Sequence, residues 1–255
     1  MNMMLPVDLS SPDLLFHYTS VQVALEKILS DGTLRFAPYS STDDPLEFSD
    51  YYHAIIGTDE EIIHIRKQVP AFEAELEKAK MICFCQSKGT PDNSFDWGCS
   101  RSRMWSQYAS GHRGVCLVFS KEQLLKDIPR ATSKTTDLFD GEVKYDNEPK
   151  KLRSEHRILR KQCPSVSQVA NDYYFYKRED YRDENEYRLV LHDNSFSSDS
   201  SEYIECIDAL SAIILGCRTP DCYNGLFLDV ATQRSVPTLK TIWSTGRVLF
   251  PPINK

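Results

Sequence analysis

The chain has 255 residues, 41% of them hydrophobic, and a formal charge of −7 at pH 7. That length can build one large core, and no linker or internal repeat divides it, so a single domain over residues 1–255 is expected. The negative balance excludes a general nucleic-acid-coating role, which needs clustered Lys and Arg, and the apolar runs fall far short of the ~20 residues of a membrane helix.

Residues 1–13, with Pro6, Asp8 and no basic start, do not read as a signal peptide. Leu14-Leu15-Phe16 opens a first strand that ends at His17-Tyr18-Thr19-Ser20. Thr19 and Gln22 match a capping box. Val21, Ala24, Leu25, Ile28 and Leu29 then recur at helical spacing, and Asp31-Gly32 ends the helix. Thr33 to Phe36 alternates as a second strand. A polar loop at 40–45 and a charged helix at about 59–80 lead to Met81-Ile82-Cys83-Phe84-Cys85, a buried strand. Residues 86–102 read as a surface loop, followed by a short helix around Met104 to Ala109 and a strand at Val115 to Phe119. Further strands are expected at 142–145, 186–191, 203–207, 212–215 and 239–243, with helical stretches at 150–180 and 225–232. Many strands, few regular strand-helix alternations and apparent hairpins predict an α+β fold. The eight cysteines form no Cys-x-x-Cys pair and often sit in apolar runs. They read as reduced thiols of a cytoplasmic protein, and no structural metal is expected.

Several groups could carry chemistry, and each also has a plain structural use. His17 could donate a hydrogen bond to a ribose hydroxyl, or cap a helix and sit satisfied in the core. Glu184, Glu186 and Arg188 share one strand face, where Arg188 would pair with one carboxylate and leave the other to a substrate; a solvated polar face is the alternative. Trp105 and Tyr108, three apart on a helix, could hold a planar ring or pack a core. His112-Arg113, between two glycines, could reach a diphosphate or form a solvated turn. Lys150, Arg153, Arg157 and Arg160 make a basic stripe if helical, suited to phosphates or simply to water. No phosphate-binding loop, dinucleotide fingerprint, nucleophile elbow or His-Glu-x-x-His motif is present.

Five segments, in order, resemble a bacterial family known as domain of unknown function twenty-nine seventy-one: His17 to Ser20, Asp43-Asp44-Pro45-Leu46-Glu47, Cys83-Phe84, Met104 to Ala109 with Gly114-Val115, and Glu184 to Arg188. The match spans about residues 14–216, and Asp43 departs from the usual Asn; an ionised Asp43 cannot donate a hydrogen bond. That family looks like a distant relative of the ADP-ribosyltransferases. The resemblance implies a core of two small, mostly antiparallel sheets flanked by helices, with NAD as substrate and no metal. His17, Tyr108 and Glu186 would be catalytic, Glu186 stabilising the oxocarbenium-like ribosyl centre, while His17, Tyr18, Thr19, Trp105, Tyr108, Arg113, Glu184 and Arg188 would bind NAD. The implied activity is transfer of ADP-ribose to a protein or nucleic-acid acceptor, as in a toxin or phage-defence effector, with a cognate inhibitor protein as a further partner. NAD hydrolysis, a non-catalytic nucleotide-binding or protein-interaction module, and a nuclease using Asp43, Asp44 and Glu47 are the alternatives.

Overall fold

A computed structural model describes residues 5–42, 70, 74–88, 93–147 and 173–253. The polar loop with Asp43, Asp44 and Glu47, most of the charged helix expected at 59–80 and the basic stripe at 150–160 lie outside the described residues. The fold is α+β, and its main sheet is mostly antiparallel. Rather than two separate small sheets, nine strands form one branched sheet, accompanied by two two-stranded ribbons.

Strand β1 (Leu14–Thr19) is followed by a helical turn, Val21–Val23, that widens into a π-helix at Ala24–Leu29. Ser20, one residue beyond the expected Thr19, caps it by accepting from the Val23 amide at 3.1 Å. Gly32 closes the helix at φ +71°, where its missing Cβ matters. β2 (Thr33–Pro38) and β3 (Ala79–Gln86) follow, β3 beginning two residues before the expected strand start at Met81. β4 (Val115–Ser120) leads into a helix at Lys121–Ala131 that the sequence reading did not foresee. β5 (Asp137–Glu142), β6 (Lys144–Tyr145) and β7 (Tyr176–Lys177) lead to β8 (Glu186–His192). β9 (Glu202–Glu205) and β10 (Leu210–Leu215) precede a helix at Asn224–Arg234 and β11 (Thr238–Lys240), and β12 (Ile242–Ser244) and β13 (Arg247–Leu249) form the last hairpin.

The order runs β11-β10-β4-β1-β3, and β8 pairs with β3 along residues 79–85 and with β5 on its far side. Because β8 occupies one edge of β3, β1 and β2 must share the other. β1 holds the end of β3 at Cys85 and Gln86, while β2 holds its start at Lys80 and Met81 and then turns away to pair with β9. Ile82, Cys83 and Phe84 are left with no partner strand on that edge among the described residues. The sheet therefore parts at a V, and His17 is the first residue of β1 past the last pair with β3.

Side-chain alternation builds a core on each face. One contains Leu15, Phe84, Leu117, Phe119, Leu189 and Ile213, covered by the helices through Ile28, Leu124, Ile128 and Phe227. The other contains Phe16, Tyr18, Cys85, Cys116, Val118 and Ile214 under Trp105, Ala109 and Phe250. Strands buried on both faces read as continuous apolar runs, the reason Met81 to Cys85 and Val115 to Phe119 are visible in the sequence. The stretch expected as a surface loop at 86–102 instead turns inward at Gly98-Cys99-Ser100, all three buried.

Candidate functional site

Where β1 and β2 part from β3, a cavity of about 300 Å³ opens, at the small end of the range for ligand sites. His17 stands at its root. The ring's Nδ1 lies 3.2 Å from the Cys83 carbonyl, one of the groups the parting of the strands leaves unpaired, and the ring tilts against Phe84 at 5.6 Å. A carbonyl only accepts, so Nδ1 carries the proton. Burial lowers the imidazole's pKa and outweighs the contribution of that bond. The ring is therefore neutral, with its lone pair on Nε2. His17, expected as a donor, thus offers an acceptor at Nε2.

The carboxylates reach the cavity by a different route from the one expected. β8 starts only at Glu186, and Glu184 ends a 3-10 turn, Glu179–Glu184. Between them Asn185 sits in the left-handed region at φ +46°, held by its side-chain amide donating to the Gln86 carbonyl at 2.5 Å. Asn tolerates that conformation better than most residues. The three charged side chains thus do not share one strand face: the kink, not alternation, carries Glu184 to the site.

There the carboxylates meet two buried cations. Arg188 clamps Glu186 with Nε donating to Oε1 at 2.7 Å and Nη2 to Oε2 at 3.0 Å, while Nη1 donates to the Tyr174 carbonyl at 2.7 Å. Lys177 donates to Glu184 Oε2 at 2.7 Å and to Glu186 Oε2 at 3.4 Å. The Tyr108 hydroxyl donates to Glu184 Oε1 at 3.0 Å, and the Glu186 amide donates to the Tyr145 hydroxyl at 2.8 Å. Burial alone would raise the pKa of Glu186, but Arg188 and then Lys177 outweigh it and bring the carboxyl down to about 2. Burial and the negative Glu184 push the Tyr108 hydroxyl up, so it stays a donor. Neither carboxylate is left without a partner: Arg188 takes the one expected to be catalytic, and Lys177 with Tyr108 takes the other.

Of the residues singled out in the sequence, His17, Tyr18, Tyr108, Glu184, Glu186 and Arg188 line this cavity. Tyr18 contributes to the wall, but its hydroxyl is committed to the Gly98 carbonyl at 2.6 Å. Trp105, Thr19 and Arg113 are not part of the lining. Trp105 is fully buried, donates through Nε1 to the Cys99 carbonyl at 2.7 Å, meets Tyr18 edge-on at 5.1 Å and stacks on His112. The helix at Ser102–Gln107 ends before Tyr108, so the two aromatics diverge instead of forming a clamp. Thr19 is buried opposite Val115, and Arg113 is exposed on a turn. Of the two glycines flanking His112-Arg113, Gly114 serves packing, since a Cβ there would lie 2.2 Å from the Thr19 carbonyl oxygen, whereas Gly111 has open space and serves the turn at φ +64°. Gly114→Ala is expected to lower stability by more than about 1 kcal/mol in urea unfolding, as strain that a fixed backbone cannot relieve.

Among the lining residues not singled out in the sequence, Arg35, Cys83 and Lys177 bear on the chemistry. Arg35 is the exposed position between buried Leu34 and Phe36, visible in principle from the alternation of β2. Cys83 borders the cavity, and burial first, then the charge of Glu186, pushes its thiol well up, so it is a poor nucleophile. Lys177 was hidden in a stretch read as helix; pairing with β6 at Tyr145 brings it inward.

Residues 104–189 match a family described as Protein of unknown function (DUF2971). The DUF2971 stretch contains Tyr108, Lys177, Glu184, Glu186 and Arg188, and leaves His17 and Arg35 to the preceding chain. Neither a curated protein nor a solved structure matches. Among the described residues, no group of three His, Cys, Asp or Glu side chains is placed to hold a metal, and no helix is long and apolar enough to cross a membrane.

Proposed function

We propose that this cleft cleaves NAD and passes ADP-ribose to a protein or nucleic-acid acceptor in the cytoplasm, as the ADP-ribosyltransferases do. One observation carries the reading: His17 from the first strand, Tyr108 from a helix end and Glu186 from a late strand line a single cavity where the sheet parts. A cavity of about 300 Å³ suits the nicotinamide and its ribose, leaving the diphosphate to run outward past Arg35. His17 Nε2 accepts from a ribose hydroxyl and the Tyr108 ring lies against nicotinamide. The Glu186 carboxylate faces the anomeric carbon as positive charge develops there. The C–N glycosidic bond breaks with its electron pair going to the nicotinamide nitrogen, and the acceptor's nucleophile bonds to that carbon and releases its proton.

Incubation with NAD labelled on the adenylate, with cell lysate as acceptor pool, tests this. The parent is expected to transfer label and release nicotinamide, and a folded Glu186→Gln to lose about 10²–10³-fold of both. Undiminished turnover in that variant removes Glu186 from the chemistry. Free ADP-ribose without labelled acceptor means hydrolysis. The bidentate clamp of Arg188 favours a second reading, because a carboxylate already neutralised offers less to a developing cation. NAD binding by the folded parent without nicotinamide release is the result that reading requires.

A further inference from the structure

Lys177 is an unusual group to find in such a cavity. It comes from β7, a two-residue strand, is buried to 8% exposure, and points its ammonium at both carboxylates. The same nitrogen lies 4.4 Å over the Tyr181 ring, a further contact on the ammonium. The Asn185 kink, anchored on Gln86, brings Glu184 and Glu186 to the same wall, and the Lys177 ammonium contacts both carboxylates there.

We infer that Lys177 is a positioning residue that holds Glu184 and Glu186 side by side, both ionised, at the wall of the cavity. For its effect on turnover this rests on the reading of the cleft as an NAD-cleaving site; the electrostatics stand apart from it. The site pairs two carboxylates with two buried cations, while the exposed Arg35 lines the cavity from β2. Removing Lys177 leaves two buried carboxylates with one buried guanidinium, and one of them then retains a proton to higher pH. The groups around it would report the change from several elements: Tyr181 and Glu184 from the turn before β8, Glu186 and Arg188 from β8, Tyr108 from the helix end, Tyr145 from β6, Cys83 and Cys85 from β3, and His17 from β1.

The full-length chain with Lys177→Met and Lys177→Arg tests the inference through two pH series. In the first, nicotinamide release from NAD is followed against pH. The acid limb of the methionine variant is expected to move up by about 1–2 pH units, and arginine to restore the parent profile. A methionine variant whose limb coincides with the parent's overturns the inference. The second series, thermal unfolding against pH, needs no NAD and decides the matter if the parent turns out to be inactive. The gap in midpoint between parent and Lys177→Met is expected to be largest near neutrality and to narrow on acidification, as protonation relieves the paired carboxylates. A gap that does not change with pH means that Lys177 only packs. If Lys177→Met fails to fold, the double variant Lys177→Met/Glu184→Gln, which removes one charge of each sign, is expected to fold. Failure of both counts against the charge role.

Discussion

Arg188→Met is expected to be the most destabilising single change in the cleft, by about 3–5 kcal/mol in urea unfolding at neutral pH. Arg188 is fully buried and gives three hydrogen bonds, two to Glu186 and one to the Tyr174 carbonyl. Methionine can fill much of the volume but leaves a buried carboxylate with the longer contact to Lys177, at 3.4 Å, and the Cys83 thiol. Such a charge must either be held at high cost or take up a proton, and both lower stability at pH 7. The pH dependence follows from the sign of the shift. The folded pKa of Glu186, about 2, lies below its ordinary 4.5, so the stability it contributes is present above the unfolded value and is lost as pH falls from about 4.5 toward 2. In Arg188→Met that acid-sensitive loss should shrink, because the folded carboxyl no longer binds protons so weakly. The double variant Arg188→Met/Glu186→Gln should recover part of the deficit, since no ionised group is then stranded. A single variant within 1 kcal/mol of the parent would mean that Lys177 and the Cys83 thiol satisfy Glu186 without the guanidinium.

The parts of this fold that were visible in the sequence are those whose signal is local. β3 and β4 are unbroken apolar runs, the first helix carries its spacing and its terminal glycine, and His17, Tyr108 and Glu186 stand at the ends of such elements. The family resemblance, carried by the order of the short motifs, was visible for the same reason. What escaped depends on partners far along the chain. That β1 and β2 would divide one edge of β3 cannot be read from β3, whose apolar run from Met81 to Cys85 continues unchanged from positions paired on that edge, Met81 and Cys85, through Ile82 and Phe84, which are not. The parting of the strands is nevertheless what makes the cavity and what turns His17 toward the Cys83 carbonyl. The helix at Lys121–Ala131 carries its apolar residues as Leu124, Leu125 and Ile128, with Pro129 in its last turns disguising the pattern. Lys177 looked like one more cation in a charged stretch; only the two-residue pairing of β6 with β7 gives it an inward direction. Strand alternation was the wrong reason to group Glu184 with Glu186, because Asn185 breaks the period, yet both still meet at one ammonium.

Trp105 and Tyr108, read as a pair from their spacing, should separate cleanly under substitution. Trp105→Ala removes the largest fully buried side chain and the donor to the Cys99 carbonyl, and is expected to cost about 3–5 kcal/mol. Tyr18 loses the ring it meets edge-on, and His112 loses its stacking partner but keeps Trp243 edge-on at 5.9 Å. Tyr108 is half-buried at the cavity wall, where its ring has solvent-accessible space on one side. Tyr108→Ala gives up part of that burial and one hydrogen bond to Glu184, which keeps Lys177, and should cost about 1–2 kcal/mol. The order reverses for ligand binding. Loss of an aromatic face against nicotinamide is worth about 1–3 kcal/mol, so Tyr108→Ala should raise the Kd for NAD roughly tenfold or more. Trp105→Ala, assayed at a temperature where it is folded, should bind within a factor of about 3 of the parent, because its ring lies behind Tyr18 and off the cavity wall. Calorimetric NAD titration beside urea unfolding of the two variants reads both axes at once. A Trp105→Ala protein that is as stable as the parent but binds NAD poorly would put the tryptophan back in the site, and equal losses on both axes for the two variants would mean that the helix end acts as one structural unit.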